Sequence, residues 1–184
     1  MISPSFHVYT PKTGFIIFGA FELNFENLEI DIIMKQLSGN KAAEFIESLI
    51  HLDTQLNGNK VDLTVAEIYR PTHPGSLDFG GSEYQPAPRE RLEPEKKNSD
   101  DKYGWWNLVP GTYLVELNEK VKPLDQGFAM IAPHTRLLKT GASIPTHIPD
   151  PSDDKHLIPL QVGENECNIK ENARIASLLY FKES

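Results

Sequence analysis

His134, Arg136 and Lys139 form a basic cluster within six residues, with the hydroxyl of Thr135 among them, and together these groups could hold a phosphate-bearing small molecule. The same spacing also suits a solvated turn. Arg174 is placed either to contact phosphate or to pair with Glu171 or another carboxylate at a strand edge. Asp62, at the start of a β-rich run, could hold a magnesium-bound water or fix a neighbouring loop, because Mg²⁺ keeps several waters and takes few protein carboxylates. Its alternative is a strand-edge carboxylate in solvent. Asp150 precedes Pro151 and reads, on composition alone, as a turn residue. The six histidines show no H-x-x-x-H or H-E-x-x-H spacing, and no CxxC, P-loop, G-x-G-x-x-G or G-x-S-x-G occurs, which argues against zinc, dinucleotide and serine-nucleophile chemistry. Cys167, the one cysteine, has no activating neighbour in sequence and reads as a small core or surface residue.

The elements that must position these groups are mostly strands. Residues 1–37 alternate apolar and polar side chains, as in Gly14-Phe15-Ile16-Ile17-Phe18 and Phe21-Glu22-Leu23-Asn24-Phe25. Ala42, Phe45, Ile46, Leu49 and Ile50 fall on one helical face, predicting a helix over residues 40–50 capped by Asn40, the one well-formed helix of the chain. Residues 61–69 read as a strand. Residues 71–101 are polar, rich in proline and charge, and predict an excursion over the surface. Further strands are expected at 112–117, 127–132, 156–162 and 174–181, with Gly/Pro turns between them. That pattern predicts an all-β sandwich or barrel.

The 184 residues suffice for a single domain with its own core. With 39% hydrophobic and 24% charged residues, the composition is that of an ordinary soluble protein. No apolar run approaches the roughly 20 residues that span a bilayer, and the N-terminus lacks the features of a signal peptide, so a cytoplasmic protein without membrane partners is expected. A formal charge of −8 argues against nonspecific nucleic-acid binding but leaves room for a locally basic site.

Four segments carry a resemblance: Val61-Asp62-Leu63-Thr64; Leu108-Val109-Pro110-Gly111-Thr112-Tyr113-Leu114-Val115, followed by Glu119, Val121 and Pro123; Pro133-His134-Thr135-Arg136-Leu137-Leu138-Lys139-Thr140-Gly141; and Asn172-Ala173-Arg174-Ile175-Ala176-Ser177-Leu178. A fifth, Gly141 to Asp150-Pro151, keeps a Gly-to-Asp separation of nine. Together they resemble the dUTPase/dCTP deaminase superfamily, most closely its archaeal-type dUTPase branch, over roughly residues 55–181. The match is looser over 1–54.

The resemblance implies a dUTPase-like distorted jelly-roll or β-barrel with one short helix, in which L-x-P-G-x-Y-L-V and E-x-V-x-x-P are structural markers. It also implies a homotrimer with shared active sites, Mg²⁺, and hydrolysis of dUTP to dUMP and pyrophosphate. Asp150 would activate the attacking water, His134, Thr135, Arg136, Lys139 and Arg174 would hold the phosphates, Asp62 would help place the metal, and Gly141, His147 and Asp153 would lie at the substrate pocket. The chain departs from the family pattern at Lys60, His134, Arg136, His147, Ser152, Asp153, Lys155 and Ser177. Those departures leave two alternatives: a non-catalytic relative that binds a nucleotide or a protein, and an enzyme with a changed nucleotide substrate. The acid/base Glu of the deaminases corresponds to Leu160, which argues against deamination.

Overall fold

One long strand that changes partners half-way along organises the molecule. The computed structural model describes residues 34–150 and 157–183. In chain order its elements are β1 (Met34–Gln36), α1 (Gly39–Ala43), β2 (Ile46–Glu47), α2 (Leu52–Gln55), β3 (Leu56–Asn57), β4 (Lys60–Pro71), β5 (Arg89–Leu92) and β6 (Trp105–Leu108). These are followed by β7 (Gly111–Leu117), β8 (Lys120–Val121), β9 (Gly127–Pro133), α3 (Thr135–Lys139), β10 (Ala142–Ser143), β11 (Ile158–Val162), β12 (Cys167–Lys170) and β13 (Arg174–Glu183).

From Val61 to Thr64, β4 pairs with β13, and from Val65 to Tyr69 it pairs with β7. A register shift between Val65 and Glu67 marks the hand-over. β13 also pairs with β9 along residues 176–182 and with β1 at 181–183, while β7 continues through β11 to β10. The result is a curled nine-stranded sheet with two small two-stranded pairs, β12–β6 and β2–β8. The all-β, jelly-roll-like expectation is met.

Alternation builds the core. Tyr113, Val115 and Leu117 of β7 and Ile158, Leu160 and Val162 of β11 are buried while their neighbours are not, and they join Val61, Leu63, Val65 and Leu178 in one cluster. Each fully buried Leu or Ile of this kind contributes about 1.5–3 kcal/mol relative to exposure.

The helix expected over 40–50 is confined to α1. Its N-cap is Ser38 and not Asn40. The chain leaves the helix because the Phe45 carbonyl is taken by partners from outside it, accepting from the Lys122 N–H at 2.8 Å and the Tyr180 hydroxyl at 3.0 Å. Ile46 then enters β2 opposite Val121, and Ser48 turns with φ 62°. Tertiary hydrogen bonds override the helical period here. The excursion over 71–101 is exposed as expected, but it is tied back by β5 on β4 and by the bridge Glu95–Trp105, and the bridge Ser76–Gln85 closes a loop within it. The strands expected around Gly14–Phe18 and Phe21–Phe25 lie outside the described residues. No helix among the described residues is long and apolar enough to cross a membrane.

Candidate active site

Val61, Leu63 and Val65 point one way from β4 into the apolar core, so Asp62 and Thr64 point the other way. Asp62 is not the solvated strand-edge residue that its sequence allowed: it is fully buried. Its Oδ1 accepts from the Ser177 hydroxyl at 3.0 Å, and its Oδ2 accepts from Arg174 Nη1 at 3.2 Å and faces His134 Nε2 at 3.3 Å. Arg174 is therefore paired, but with Asp62 and not with Glu171, and it also donates to the Thr54 carbonyl at 2.9 Å.

Two residues three apart on a regular strand face opposite ways. Arg174 and Ser177 nevertheless meet one carboxylate because β13 carries a bulge: Arg174 is opposite Thr64 while Ala176 is opposite Leu63, so Ile175 is the additional residue. The bulge rotates Arg174 onto the face of Ser177.

His134 caps α3. Its Nδ1 accepts the Arg136 N–H at 3.1 Å, so the ring proton sits on Nε2, the nitrogen that faces Asp62. Burial holds the imidazole below its ordinary pKa, against the pull of Asp62 in the opposite direction, with Arg174 and Arg136 lowering it further. The neutral ring is thus the state that suits both hydrogen bonds. Thr135 and Lys139 lie at exposed positions of α3, whereas Arg136 lines a cleft of about 410 Å³ that also receives Arg174 and Lys170. Among the described residues no Asp or Glu lines this cleft, in a chain with 26 acidic and 18 basic residues. Such local positive charge suits an anion.

Behind the cleft, Glu119 is buried and accepts three hydrogen bonds: Thr64 N–H at 2.8 Å, Thr64 Oγ1 at 2.7 Å and Gln55 Nε2 at 2.7 Å. Burial raises its pKa, and these bonds oppose the rise. Asn118 continues the network to Thr64, to the Val65 carbonyl and to Asn172. Glu119 was visible in sequence only as a turn marker, and Gln55 only as the start of the run that resembles the family's first motif, with no role of its own. Lys170 and Trp105, also at the cleft, carried no motif.

Asp62 does not fit as a magnesium ligand. Both its oxygens are occupied by protein donors, one of them a guanidinium, and no group of three His, Cys, Asp or Glu suited to a metal occurs among the described residues.

The remaining candidates are not among the residues that line the cleft. Gly141 follows α3 with φ +83° and open space where a Cβ would stand, so glycine serves the backbone there and not the packing. His147 pairs through its backbone with Ile131 of β9, and its Nδ1 lies 3.0 Å from the Pro145 carbonyl. From that bridge the chain runs antiparallel to β9, so that Ile148 and Pro149 share a cavity of about 240 Å³ with Gly127, Phe128 and Ala129, and the exposed Asp150 follows. At about 3.3 Å per residue, Phe128 lies roughly 20 Å along the strand from His134. One chain therefore holds Asp150 and the cationic cleft at opposite ends of β9. Asp153 and Lys155 lie outside the described residues.

No family model matches the sequence. Similar curated proteins include probable deoxyuridine 5'-triphosphate nucleotidohydrolases from three archaea. That of Methanococcoides burtonii is 32% identical over 157 residues, covering 80% of this chain and 89% of the relative. The Methanosarcina acetivorans protein is 32% identical over 158 residues, with 80% and 88% covered, and the Archaeoglobus fulgidus protein 29% identical over 159, with 82% and 90% covered. Among solved structures, 2'-deoxycytidine 5'-triphosphate deaminase from Agrobacterium tumefaciens matches with TM-score 0.52 at 15% identity, over 80% of this chain. The match spans 46% of the deaminase chain, and it is a likeness of fold.

Proposed function

Because the chain belongs to the deoxyuridine 5'-triphosphate nucleotidohydrolase family, we propose that it hydrolyses a deoxynucleoside triphosphate, with dUTP the first to test, to the monophosphate and pyrophosphate. The observation that carries this reading is the carboxylate-free cleft holding Arg136 and Arg174, with the Asp62 cluster fixing Arg174 from behind. There the phosphate chain meets fixed positive charge, which stabilises the charge that develops on it during reaction. Thr135 and Lys139, at exposed positions of α3 that flank Arg136, offer a hydroxyl and a further cation to the same phosphates. His134 acts through position: neutral and hydrogen-bonded at both nitrogens, it locks the first turn of α3 to Asp62 and does not itself supply charge.

Asp150 takes a proton from water, the resulting hydroxide attacks the α-phosphorus, and the bond to the bridging oxygen breaks to release pyrophosphate. A general base works within about 3 Å of the proton that it takes, directly or through one water. On this reading Asp150 of one chain serves the cleft of another, which the separation along β9 supports, and the enzyme works as an oligomer with shared sites, a trimer by family resemblance. By the family resemblance, His147 belongs to the nucleobase side of such a site, and Asp153 holds the sequence position of the residue that packs on the sugar. Any magnesium would arrive on the phosphates of the nucleotide, since both oxygens of Asp62 already face protein donors. A cytoplasmic location agrees with this substrate.

Release of pyrophosphate, phosphate and ammonia is to be measured for each common dNTP and NTP, with wild type and Asp150→Asn. Pyrophosphate from dUTP, reduced about 10²–10⁴-fold by the substitution, is expected. Pyrophosphate from another nucleotide would assign a changed substrate. No product from any of them would leave a nucleotide-binding relative without catalysis.

A further inference from the structure

The outer part of the cleft carries two groups, Lys170 and Trp105, to which the proposed reaction gives no role. Lys170 ends β12 and Arg174 begins β13, and the turn between them is closed by the Ala173 N–H donating to the Lys170 carbonyl at 3.0 Å. A turn of this kind keeps the Cα atoms of Lys170 and Ala173 within about 7 Å, Arg174 is the next residue, and both cations line the cleft. The turn is also pinned from behind. Val65 N–H donates to the Ala173 carbonyl at 3.0 Å, Asn172 N–H donates to the Val65 carbonyl at 3.1 Å, and the Asn172 side chain, on a backbone with φ 62°, accepts from Asn118 at 3.1 Å.

No Asp or Glu among the described residues lines the cleft beside Lys170. Its Nζ lies 5.4 Å from the centroid of the Trp105 ring, and Lys97 stands 4.4 Å from the same centroid. An aromatic face holds a cation in place but does not neutralise it. The one acid of the turn, Glu171, accepts from the Gly104 N–H instead. Lys170, which forms no ion pair among the described residues, thus adds an ammonium to the cleft that Arg136 and Arg174 also line.

We infer that Lys170, held over Trp105, is a specificity-determining residue that takes the terminal phosphate of a nucleoside triphosphate, so that the cleft prefers three phosphates to two. The inference rests on the proposal that this cleft holds the phosphate chain.

Binding without turnover separates the two ideas. Inorganic tripolyphosphate and pyrophosphate are titrated calorimetrically into the full-length protein, as wild type, Lys170→Gln and Lys170→Arg. Wild type should bind tripolyphosphate more tightly, Lys170→Gln should weaken tripolyphosphate about tenfold while changing pyrophosphate less than about twofold, and Lys170→Arg should retain the preference. Equal loss for both anions, or no loss for either, would overturn the inference, as would a wild type that binds the two equally or binds neither. If Lys170→Gln does not fold, the wild-type preference and its retention by Lys170→Arg still decide the matter. Hydrolysis of dUTP by an enzyme whose anion preference ignores Lys170 would sink this inference alone, whereas a Lys170-dependent preference in a protein that hydrolyses nothing would sink the hydrolase reading alone.

Discussion

Asp62 gathers three donors from two other segments into one fully buried carboxylate, and its replacement should be felt throughout the site. Asp62→Asn puts an amide donor where only acceptors fit and leaves Arg174 without its counter-charge. Breaking a buried pair in this way typically costs about 3–5 kcal/mol, so the urea midpoint of the variant should fall markedly and anion binding should fall with it. His134 offers a pH test. Its folded pKa lies below the ordinary value of about 6.5, so the unfolded chain takes up this proton more readily than the native one. Stability should therefore decline as pH falls below about 6.5, and the decline should level off once the folded ring also protonates. His134→Asn keeps an acceptor for the Arg136 N–H but cannot titrate. Urea midpoints between pH 5 and pH 7.5 should show a smaller slope in that variant than in wild type, and an unchanged slope would show that another group is responsible.

At the scale of elements, the contact between β9 and β13 is close enough to be tested by one methyl group. A Cβ on Gly127 would run into the Phe181 carbonyl and the Leu124 side chain. Gly127→Ala should therefore lower the thermal midpoint, with a loss of about 1–3 kcal/mol from overpacking. Much of this level was legible in the sequence. The strands at β4, β7, β9 and β13 were marked by alternation and Gly/Pro punctuation; burial on one face imposes the period of two on β7, whereas residues 61–65 of β4 and 175–178 of β13 are buried on both faces. The helix over 40–50 was overestimated because apolar spacing says nothing about Phe45 giving its carbonyl to Lys122 and Tyr180. β12 and β6 went unread, since Trp105 and Lys170 belong to strands too short to show a period. The bulge at Ile175 was equally hidden: it is a mismatch between two strands, and neither strand records it alone. The motifs therefore marked Arg174 and Asp62 as important without showing that they hold each other.

At the scale of the molecule, the separation of Asp150 from the cationic cleft makes a prediction about mixtures. Asp150→Asn and Arg136→Ala should each be nearly inactive. Chains carrying one or the other, refolded together in equal amounts, should recover roughly a quarter of wild-type activity, the share of sites that draw both intact groups from different copies in a closed ring. No recovery would show that each chain completes its own site or that copies do not exchange. The sequence could name Asp150 and Arg136 as members of one site only by resemblance, since their separation along β9 exists only in three dimensions.

β13 carries one further consequence. It is the hub of the sheet, bonded to β4 and β1 along one edge and to β9 along the other, and all three of those strands precede it in the chain. While the protein is being synthesised, β4 and β9 leave the ribosome with those edges open, and neither can be closed until the residues up to about Phe181 have emerged. The fold is thus made almost entirely of contacts between distant parts of the chain, and it must assemble late and all together. A nascent chain stalled before β13 would present unsatisfied strand edges to its neighbours, so translation pauses in that interval should favour aggregation over folding.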